Sequence, residues 1–199
     1  MKLRHGIFAA VCVVQLAVPL SLVAKHEQTR ANGTAWKFQT QPVDPGDPFR
    51  GKYVRLSYVV EREAVAFADD QLHYVPYDTR VYAELKAGED GYAHLLRLHE
   101  RRPEGVEYID VFTRQMQEPP RPDPKQPQPV QPPRRPAIFV HVPFDRWYLP
   151  EDKAARVEQA YFEANRRGET KTFAEVRVHE GHAVLVGLTL SGKPVEDVR

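Results

Sequence analysis

An apolar stretch near the N-terminus constrains this chain more than any other feature. Residues 7–24 are apolar at all but two positions, and two basic residues, Lys2 and Arg4, precede them. These 18 residues would form a helix about 27 Å long at about 1.5 Å per residue, close to the ~30 Å hydrocarbon core of a bilayer. The stretch therefore predicts a transmembrane anchor over residues 1–25, with the bilayer as the partner of residues 7–24.

Three fates of this stretch are open: retention as an anchor, removal as a signal peptide, or burial as a core helix. Signal peptidases prefer a small residue at the third position before the cut. A cut after Ala24 would place Leu22 there, and a cut after Ser21 would place Pro19 there. Both fit poorly, and a core helix fits the terminal position and the basic flank less well. The sequence therefore favours an uncleaved signal anchor.

Charge and cysteine content indicate where the rest of the chain lies. Positive residues before the stretch predict a cytoplasmic N-terminus and a C-terminal domain on the extracytoplasmic, periplasmic side. The only cysteine, Cys12, lies within the stretch, so the remainder has no thiol to oxidise. The net charge is only +1, and acidic and basic residues are both spread along the chain. This balance argues against a nucleic-acid partner.

Short alternating segments separated by turn residues follow the anchor, a pattern typical of an antiparallel β protein. The clearest begins at Tyr53, after the stiff Asp-Pro turn within residues 42–51. Its alternation predicts that Val54, Leu56 and Tyr58 share the buried face. The predicted strands cover residues 36–40, 53–60, 81–86, 92–98, 107–113, 137–142, 172–178 and 183–190.

One helix is predicted after the anchor, over residues 151–167. Glu151 and Asp152 lie in its first turn and Gly168 lies just beyond its end, as the helix dipole and a C-terminal glycine cap require. An apolar stripe at helical spacing predicts that the helix packs on a sheet. The stripe consists of Ala154, Val157, Ala160, Tyr161 and Ala164.

Residues 118–136 interrupt the strand pattern with nine prolines in 19 residues. Such a segment cannot pair in a sheet and prefers an extended polyproline conformation. We expect a Pro-rich linker or surface insertion over residues 119–136. A docking peptide for an aromatic groove is the alternative.

This linker divides the exported part into residues 26–118 and residues 137–199. Residues 82–95 resemble residues 173–185, and each copy is predicted to be a hairpin. The predicted fold class is therefore mainly β (α+β): an N-terminal transmembrane helix, an antiparallel β domain and one amphipathic helix. The β domain forms either one unit or two duplicated lobes.

The sequence pattern predicts no catalytic, cofactor-binding or metal-ligating residue. Ser57 shares a strand face with Arg55, and no Lys or His is placed to activate it. His179 and His182 flank Glu180 in a turn, without the helical spacing or further ligands of a zinc site. We therefore expect no enzymatic activity and no cofactor.

Residues 51–58 resemble the signature of the GDYXXLXY family, preceded by a similar Pro-x-Asp-Pro turn at residues 42–45. A later segment, residues 147–151, is also similar to that family and comes in the same order. The resemblance rests on Gly51, Lys52, Tyr53, Leu56 and Tyr58 in the first motif and on Tyr148, Pro150 and Glu151 in the second.

This resemblance covers most of the chain and implies an N-terminal anchor and a membrane location, with no particular activity. One position differs, because the family has Asp where this chain has Lys52. A role that needs the carboxylate would be lost here, whereas a turn or strand-edge role would survive the change. Residues 49–54 also resemble the turn that enters a strand in type I signal peptidases, but no Ser-Lys pair matches.

These features predict a single-pass membrane protein that acts as a non-enzymatic accessory or binding protein of the cell envelope. Its expected partner is another membrane or envelope protein. Two alternatives stay open. A degenerate signal-peptidase-like hydrolase would need a Lys within hydrogen-bond reach of Ser57. A small-ligand binder in a β-barrel mouth would need a deep cavity lined by aromatic side chains.

Overall fold

The computed structural model describes residues 2–41, 53–68, 75–117, 137–166 and 172–197. The predicted linker at 119–136 and the motif residues Gly51 and Lys52 lie outside these residues. The described elements are α1 (Lys2–Asn32), β1 (Thr34–Gln39), β2 (Tyr53–Arg55), β3 (Val65–Ala66), β4 (Arg80–Ala87), β5 (Ala93–His99), β6 (Tyr108–Gln117), β7 (Ala137–His141), β8 (Arg146–Tyr148), α2 (Glu151–Arg166), β9 (Phe173–His179), β10 (His182–Leu190) and β11 (Lys193–Pro194).

Antiparallel pairing organises these strands into three sheets. A four-stranded sheet has the order β1-β9-β10-β11, a five-stranded sheet has the order β3-β7-β6-β4-β5, and β2 pairs with β8 alone. The five-stranded sheet nearly closes into a barrel, because Phe67 bridges to Leu98 and the Ala68 amide donates to the Leu98 carbonyl at 2.9 Å. The predicted class, mainly β with an N-terminal helix, is confirmed.

Each of the two larger sheets draws strands from both sides of the Pro-rich segment. β1 comes before it and pairs with β9, and β7 comes after it and pairs with β6. The two segments 26–118 and 137–199 therefore do not form separate sheets. The two similar sequences do form hairpins, β4–β5 and β9–β10, and these lie in different sheets.

One hydrophobic core joins the sheets. Phe38 from β1, Tyr58 and Phe144 form an aromatic trio at its centre, with ring centroids 5.0–6.0 Å apart. All three side chains are buried. Aromatic edge-to-face contacts of this kind add to the area that the rings remove from water.

The N-terminal helix extends beyond the predicted anchor. The sequence predicts a polar tether over residues 26–34, but α1 continues to Asn32 and packs its last turns on β9 and β10. No Gly or Pro interrupts residues 26–32, and the tertiary contact supplies the stabilisation that a short polar helix lacks. α1 therefore ends seven residues beyond the anchor boundary predicted at residue 25.

Gly33 ends α1 where two backbones come close together. Its amide donates to the Thr29 carbonyl at 2.9 Å. A Cβ at this position would lie 2.5 Å from the Thr29 oxygen and 2.9 Å from the Val178 oxygen. Glycine therefore permits the close approach that joins α1 to β9.

The predicted strand over residues 53–60 is too long. β2 ends at Arg55, and Val59–Glu61 form a 3-10 turn. The turn replaces strand pairing because the Glu61 carboxylate accepts a hydrogen bond from the Tyr58 amide at 3.2 Å. The three short strands β3, β8 and β11 were not predicted either.

The second helix follows its prediction closely. α2 covers Glu151–Arg166 and buries Val157, Tyr161 and Ala164 against β2 and β10. These residues recur at helical spacing, so one stripe of α2 faces the sheets. The packing places the Tyr161 hydroxyl beside the residues that follow β1 and β2.

Candidate functional site

The short ribbon β2–β8 brings together the two motifs singled out in the sequence. Tyr53 lies opposite Tyr148, and Val54 lies opposite Trp147. The rings of Tyr53 and Tyr148 have centroids 5.7 Å apart. The first motif therefore pairs directly with the second, although more than 90 residues separate them.

The first motif turns its apolar side chains into the core, as the alternation predicts. Val54, Leu56 and Tyr58 are buried, whereas Arg55 is exposed. The Tyr58 hydroxyl donates to the Phe144 carbonyl at 2.9 Å. Burial raises the pKa of Tyr58 well above its ordinary value, so the hydroxyl stays protonated as a donor. Tyr58 is thus a structural residue.

The second motif starts α2 and exposes one ring. Tyr148 is 67% exposed. The Pro150 carbonyl accepts the Lys153 amide at 3.0 Å, which forms the first turn of α2. Glu151 begins that helix, as expected from its effect at a helix N-terminus.

Tyr161 ties α2 to the motif strand. Its hydroxyl donates to the Gln41 carbonyl at 2.9 Å and accepts from the Ser57 amide at 3.2 Å. Burial raises the pKa of Tyr161 to about 12. The neutral hydroxyl therefore satisfies two backbone groups that no strand ladder pairs.

A buried carboxylate, Glu61, lies at the centre of the polar groups beside the motif. Its Oε1 accepts from His141 Nδ1 at 2.8 Å and from the Val142 amide at 3.1 Å. Its Oε2 accepts from the Tyr58 amide at 3.2 Å and from Ser57 Oγ at 3.3 Å. Four donors thus surround a side chain that is 6% exposed, which is what a buried charge requires.

The contact between Glu61 and His141 favours the charged form of both. Burial raises the pKa of Glu61, but the hydrogen bonds from His141 and from two amides outweigh it and leave the pKa lowered. The hydrogen bond to Glu61 raises the pKa of His141, and burial opposes that rise. The two groups therefore form an ion pair in mildly acidic solution.

A cleft of about 490 Å³ opens beside this pair. Most of its lining is polar, and three arginines give it an excess of positive charge at its rim. The lining residues are Gln41, Arg55, Leu56, Ser57, Glu61, Arg62, Tyr77, Asp78, Phe112, Thr113, Arg114 and His141.

The cleft contains a serine, a carboxylate and a histidine, but their hydrogen bonds do not place the histidine as a base for the serine. Ser57 Oγ accepts from Gln41 Nε2 at 2.8 Å and donates to Glu61 Oε2. His141 Nδ1 bonds to Glu61 rather than to Ser57, so this nitrogen does not accept the serine proton. Among the described residues that line the cleft, none is a lysine.

The lining also differs from that of an aromatic ligand pocket. Tyr77 and Phe112 are the aromatic residues among the described lining. Trp36 and Trp147 pack against the core elsewhere. The cleft therefore suits polar contacts better than the enclosure of an apolar ligand.

Sequence reasoning missed the residues that build this cluster. Gln41, Glu61 and His141 carry no motif, and the contact between Glu61 and His141 spans 80 positions. A signal did exist, because His141 interrupts an apolar strand and Tyr161 lies on the apolar stripe of α2. Each position indicated a buried polar side-chain atom, and buried polar atoms need a hydrogen-bond partner.

The histidines around the β9–β10 turn lie apart from this cluster. His182 is half-buried, with its ring centroid 6.0 Å from that of His26 on α1. Among the described residues, no group of three or more His, Cys, Asp or Glu side chains is placed to hold a metal ion.

The apolar part of α1 lies outside the packed domain. Within Arg4–Asn32 the helix is long and apolar enough to span a membrane, and 0% of its apolar window is buried. An exposed apolar helix joined to a packed β domain defines the class of a membrane-anchored β protein. A membrane anchor is thereby supported.

The family assignment agrees with this class. The family model described as "GDYXXLXY protein" matches residues 15–188, which is most of the chain. The chain therefore belongs to the GDYXXLXY protein family. Comparison with curated proteins and comparison with solved structures gave no match.

Proposed function

We propose that this protein is a non-enzymatic accessory protein of the cell envelope. It stays in the membrane through residues 7–24, with its N-terminus in the cytoplasm. Its β domain lies on the extracytoplasmic side and binds another membrane or envelope protein.

The continuity of α1 carries this proposal. The helix runs from the exposed apolar segment into the β domain, and Thr29 on it is 1% exposed. Arg177 donates to the Gly33 carbonyl at 3.0 Å, directly after the helix. The domain is thus held at a set height and orientation, which favours contact with a second membrane-bound protein over capture of a diffusing substrate.

The same continuity favours retention of the anchor. Ala24 lies inside α1, eight residues before its end, rather than in an extended segment. The poor fit of Leu22 and Pro19 to a cleavage site points the same way. Both observations support an uncleaved N-terminus.

The cleft chemistry favours a binding role. Glu61 accepts four hydrogen bonds, and Ser57 bonds to Gln41 and to Glu61, whose lowered pKa makes it a weak base. These bonds join the segment after β1, the turn after β2, and β7, so they act as structural ties. A general base would need a free lone pair directed at a substrate.

The β2–β8 ribbon offers the surface on which a partner would bind. Tyr148 is exposed, and the Arg146 guanidinium carbon lies 5.3 Å from the centroid of the Tyr53 ring. Tyrosine and arginine are enriched among the residues that dominate binding energy at protein interfaces. We place the partner contact on these three side chains.

Photo-crosslinking in membranes tests this proposal. The protein carries a C-terminal tag and a photo-reactive amino acid at Tyr148 or, as a matched control, at Leu96, which is 42% exposed on β5. We expect one membrane or envelope protein to crosslink from position 148 and to co-purify at a fixed ratio. Purification of the tagged protein alone, with no crosslink from either position, contradicts the proposal.

Reporter fusions test the orientation separately. Alkaline phosphatase fused to the C-terminus is active only outside the cytoplasm, whereas a fused green fluorescent protein fluoresces only inside it. We expect an active phosphatase fusion and a dark fluorescent fusion. The reverse result contradicts the proposed topology, which rests on the positive residues before the anchor.

A further inference from the structure

The height of the β domain above the bilayer follows from α1, given the retained anchor of the proposed function. If residues 7–24 fill the hydrocarbon core, the headgroup layer beyond them is about 5–8 Å thick. At about 1.5 Å per residue, residues 25–29 cross that layer. Any part of the domain that contacts these residues therefore lies at headgroup level.

The β9–β10 turn is one such part. The His26 ring meets the His182 ring at the start of β10, with centroids 6.0 Å apart and planes at 69°. Thr29 is buried one turn further along α1. The helix therefore enters the domain with no spacer between the membrane and the turn.

β6 reaches the same level because it is tied to the turn. The Asp110 amide donates to the Gly181 carbonyl at 2.9 Å. Burial raises the pKa of Asp110, and the charges of Arg80, Arg102 and Lys25 act against this rise. Lys25 directly precedes His26 on α1, Arg80 lies two residues from Tyr82, which pairs with Asp110, and the Arg102 side chain bonds to that of Tyr82. The three cations therefore lie at one end of the domain, next to the anchor.

The exposed charge at this end is mainly positive. Lys25, Arg80 and Arg102 are exposed, and so are Glu27 on α1 and Glu180 in the turn. Asp110 is half-buried, and its Oδ1 has no hydrogen-bond partner among the described residues. Three exposed cations therefore accompany two exposed carboxylates, which leaves this end with a net positive charge.

We propose that this membrane-facing surface, composed of Lys25, His26, Arg80, Arg102 and His182, binds the phosphate groups of phospholipid headgroups. Cationic side chains at the membrane surface are attracted to anionic lipids. The headgroups are the expected occupant because the anchor places this surface within their layer. The contact restrains the β domain at the bilayer surface and leaves the β2–β8 ribbon for a protein partner.

Depth measurement in nanodiscs tests the position of the surface. Cys12→Ala removes the only cysteine, so that Arg102→Cys or Lys193→Cys can each carry a nitroxide on the full-length protein. Lys193 pairs with Leu190 at the far end of β10, about 25 Å along the strand from His182. We expect relaxation by a headgroup-chelated metal at position 102 and by a water-soluble agent at position 193. Full water accessibility at position 102 overturns the inference.

Lipid dependence tests the charge. We expect the β domain to unfold at a temperature several degrees higher in phosphatidylglycerol nanodiscs than in phosphatidylcholine nanodiscs. Arg80→Gln with Arg102→Gln should abolish the difference, whereas Lys193→Gln should keep it. An equal response of these two variants contradicts the inference.

The two proposals fail in distinguishable ways. If the mass of the purified protein lacks residues 1–24, the anchor is cleaved and the proposed function is contradicted. If the protein is full-length but position 102 lies in water, only the headgroup-binding surface is contradicted. The lipid comparison is read only on protein whose intact mass includes the anchor.

Discussion

His141 Nδ1 lies 2.8 Å from Glu61 Oε1, and this contact joins β7 to the turn that follows the first family motif. The same carboxylate oxygen accepts the Val142 amide, so one side chain fixes the last residue of β7 and the residue that follows it. The motif strand is thereby tied to an element 80 positions away.

The His141–Glu61 pair predicts a stability that depends on pH. The folded pKa of Glu61 lies below its ordinary 4.5, so its contribution is lost as pH falls through the folded value. The folded pKa of His141 lies above its ordinary 6.5, so its contribution is lost as pH rises through the folded value. The pair therefore stabilises most between about pH 4.5 and 6.5.

His141→Gln, which keeps a donor but no charge, tests this window. We expect a loss of about 1 kcal/mol at pH 5.5, reduced by the partial exposure of the histidine, and almost none at pH 9. Urea unfolding at the two pH values measures it. His99→Gln, whose ring lies 3.4 Å from Glu84, serves as the control. An equal loss at both pH values contradicts the ion pair.

Removing the charge of Glu61 should destabilise the domain more strongly. Glu61→Gln replaces one acceptor oxygen with an NH2 group. Each Glu61 oxygen accepts from a backbone amide, so this NH2 group faces another hydrogen-bond donor. We expect a loss of about 2–3 kcal/mol, because buried donors then lack partners. The matched control is Glu63→Gln, whose side chain is 48% exposed. Similar unfolding midpoints for the two variants would exclude the structural role of Glu61.

The two buried tyrosines predict unequal effects of removing a hydroxyl. Tyr161→Phe leaves both the Gln41 carbonyl and the Ser57 amide without this partner, whereas Tyr58→Phe leaves only the Phe144 carbonyl. We expect losses of about 2 and about 1 kcal/mol respectively. Chemical denaturation of both variants ranks them, and the opposite order contradicts this assignment of hydrogen bonds.

Several parts of the fold could be predicted from sequence because they depend on local patterns. Alternation placed Val54, Leu56 and Tyr58 on one buried face, and helical spacing gave α2 to within one residue. Turn chemistry gave the β9–β10 hairpin, where Glu180 and Gly181 both have positive φ.

The remaining features depend on contacts between distant segments. The tether after the anchor is helical because it packs on β9 and β10, and no local pattern reports that contact. The cleft forms from Gln41, Glu61 and His141, three residues that only the pairing of the sheets brings together. The short strands β3 and β8 lack enough residues to show a period of two.

Gly33 predicts how closely α1 is joined to the domain. Gly33→Ala forces a Cβ to within 3 Å of two carbonyl oxygens. We expect destabilisation by about 2 kcal/mol, since backbone rather than a flexible side chain must move. Gly6→Ala is the control, because a Cβ there meets nothing within 4 Å. Thermal unfolding in detergent compares them, and an unchanged midpoint for Gly33→Ala contradicts the close approach.

Ser57→Ala separates the binding role from hydrolysis. Gln41 Nε2 keeps its bond to the Tyr58 carbonyl at 2.8 Å, so we expect a stability loss below about 1 kcal/mol. Crosslinking from position 148 should be unchanged. Accumulation of an uncleaved envelope protein in cells that carry Ser57→Ala would instead support the hydrolase alternative.

Retention of α1 as a membrane anchor underlies both the partner contact and the headgroup surface. The intact mass of the protein extracted from membranes measures this retention directly. The account predicts a polypeptide that includes residues 1–24, found in the membrane fraction and resistant to alkaline extraction. A mature protein that begins after Ser21 or Ala24 and appears in the soluble fraction would contradict it.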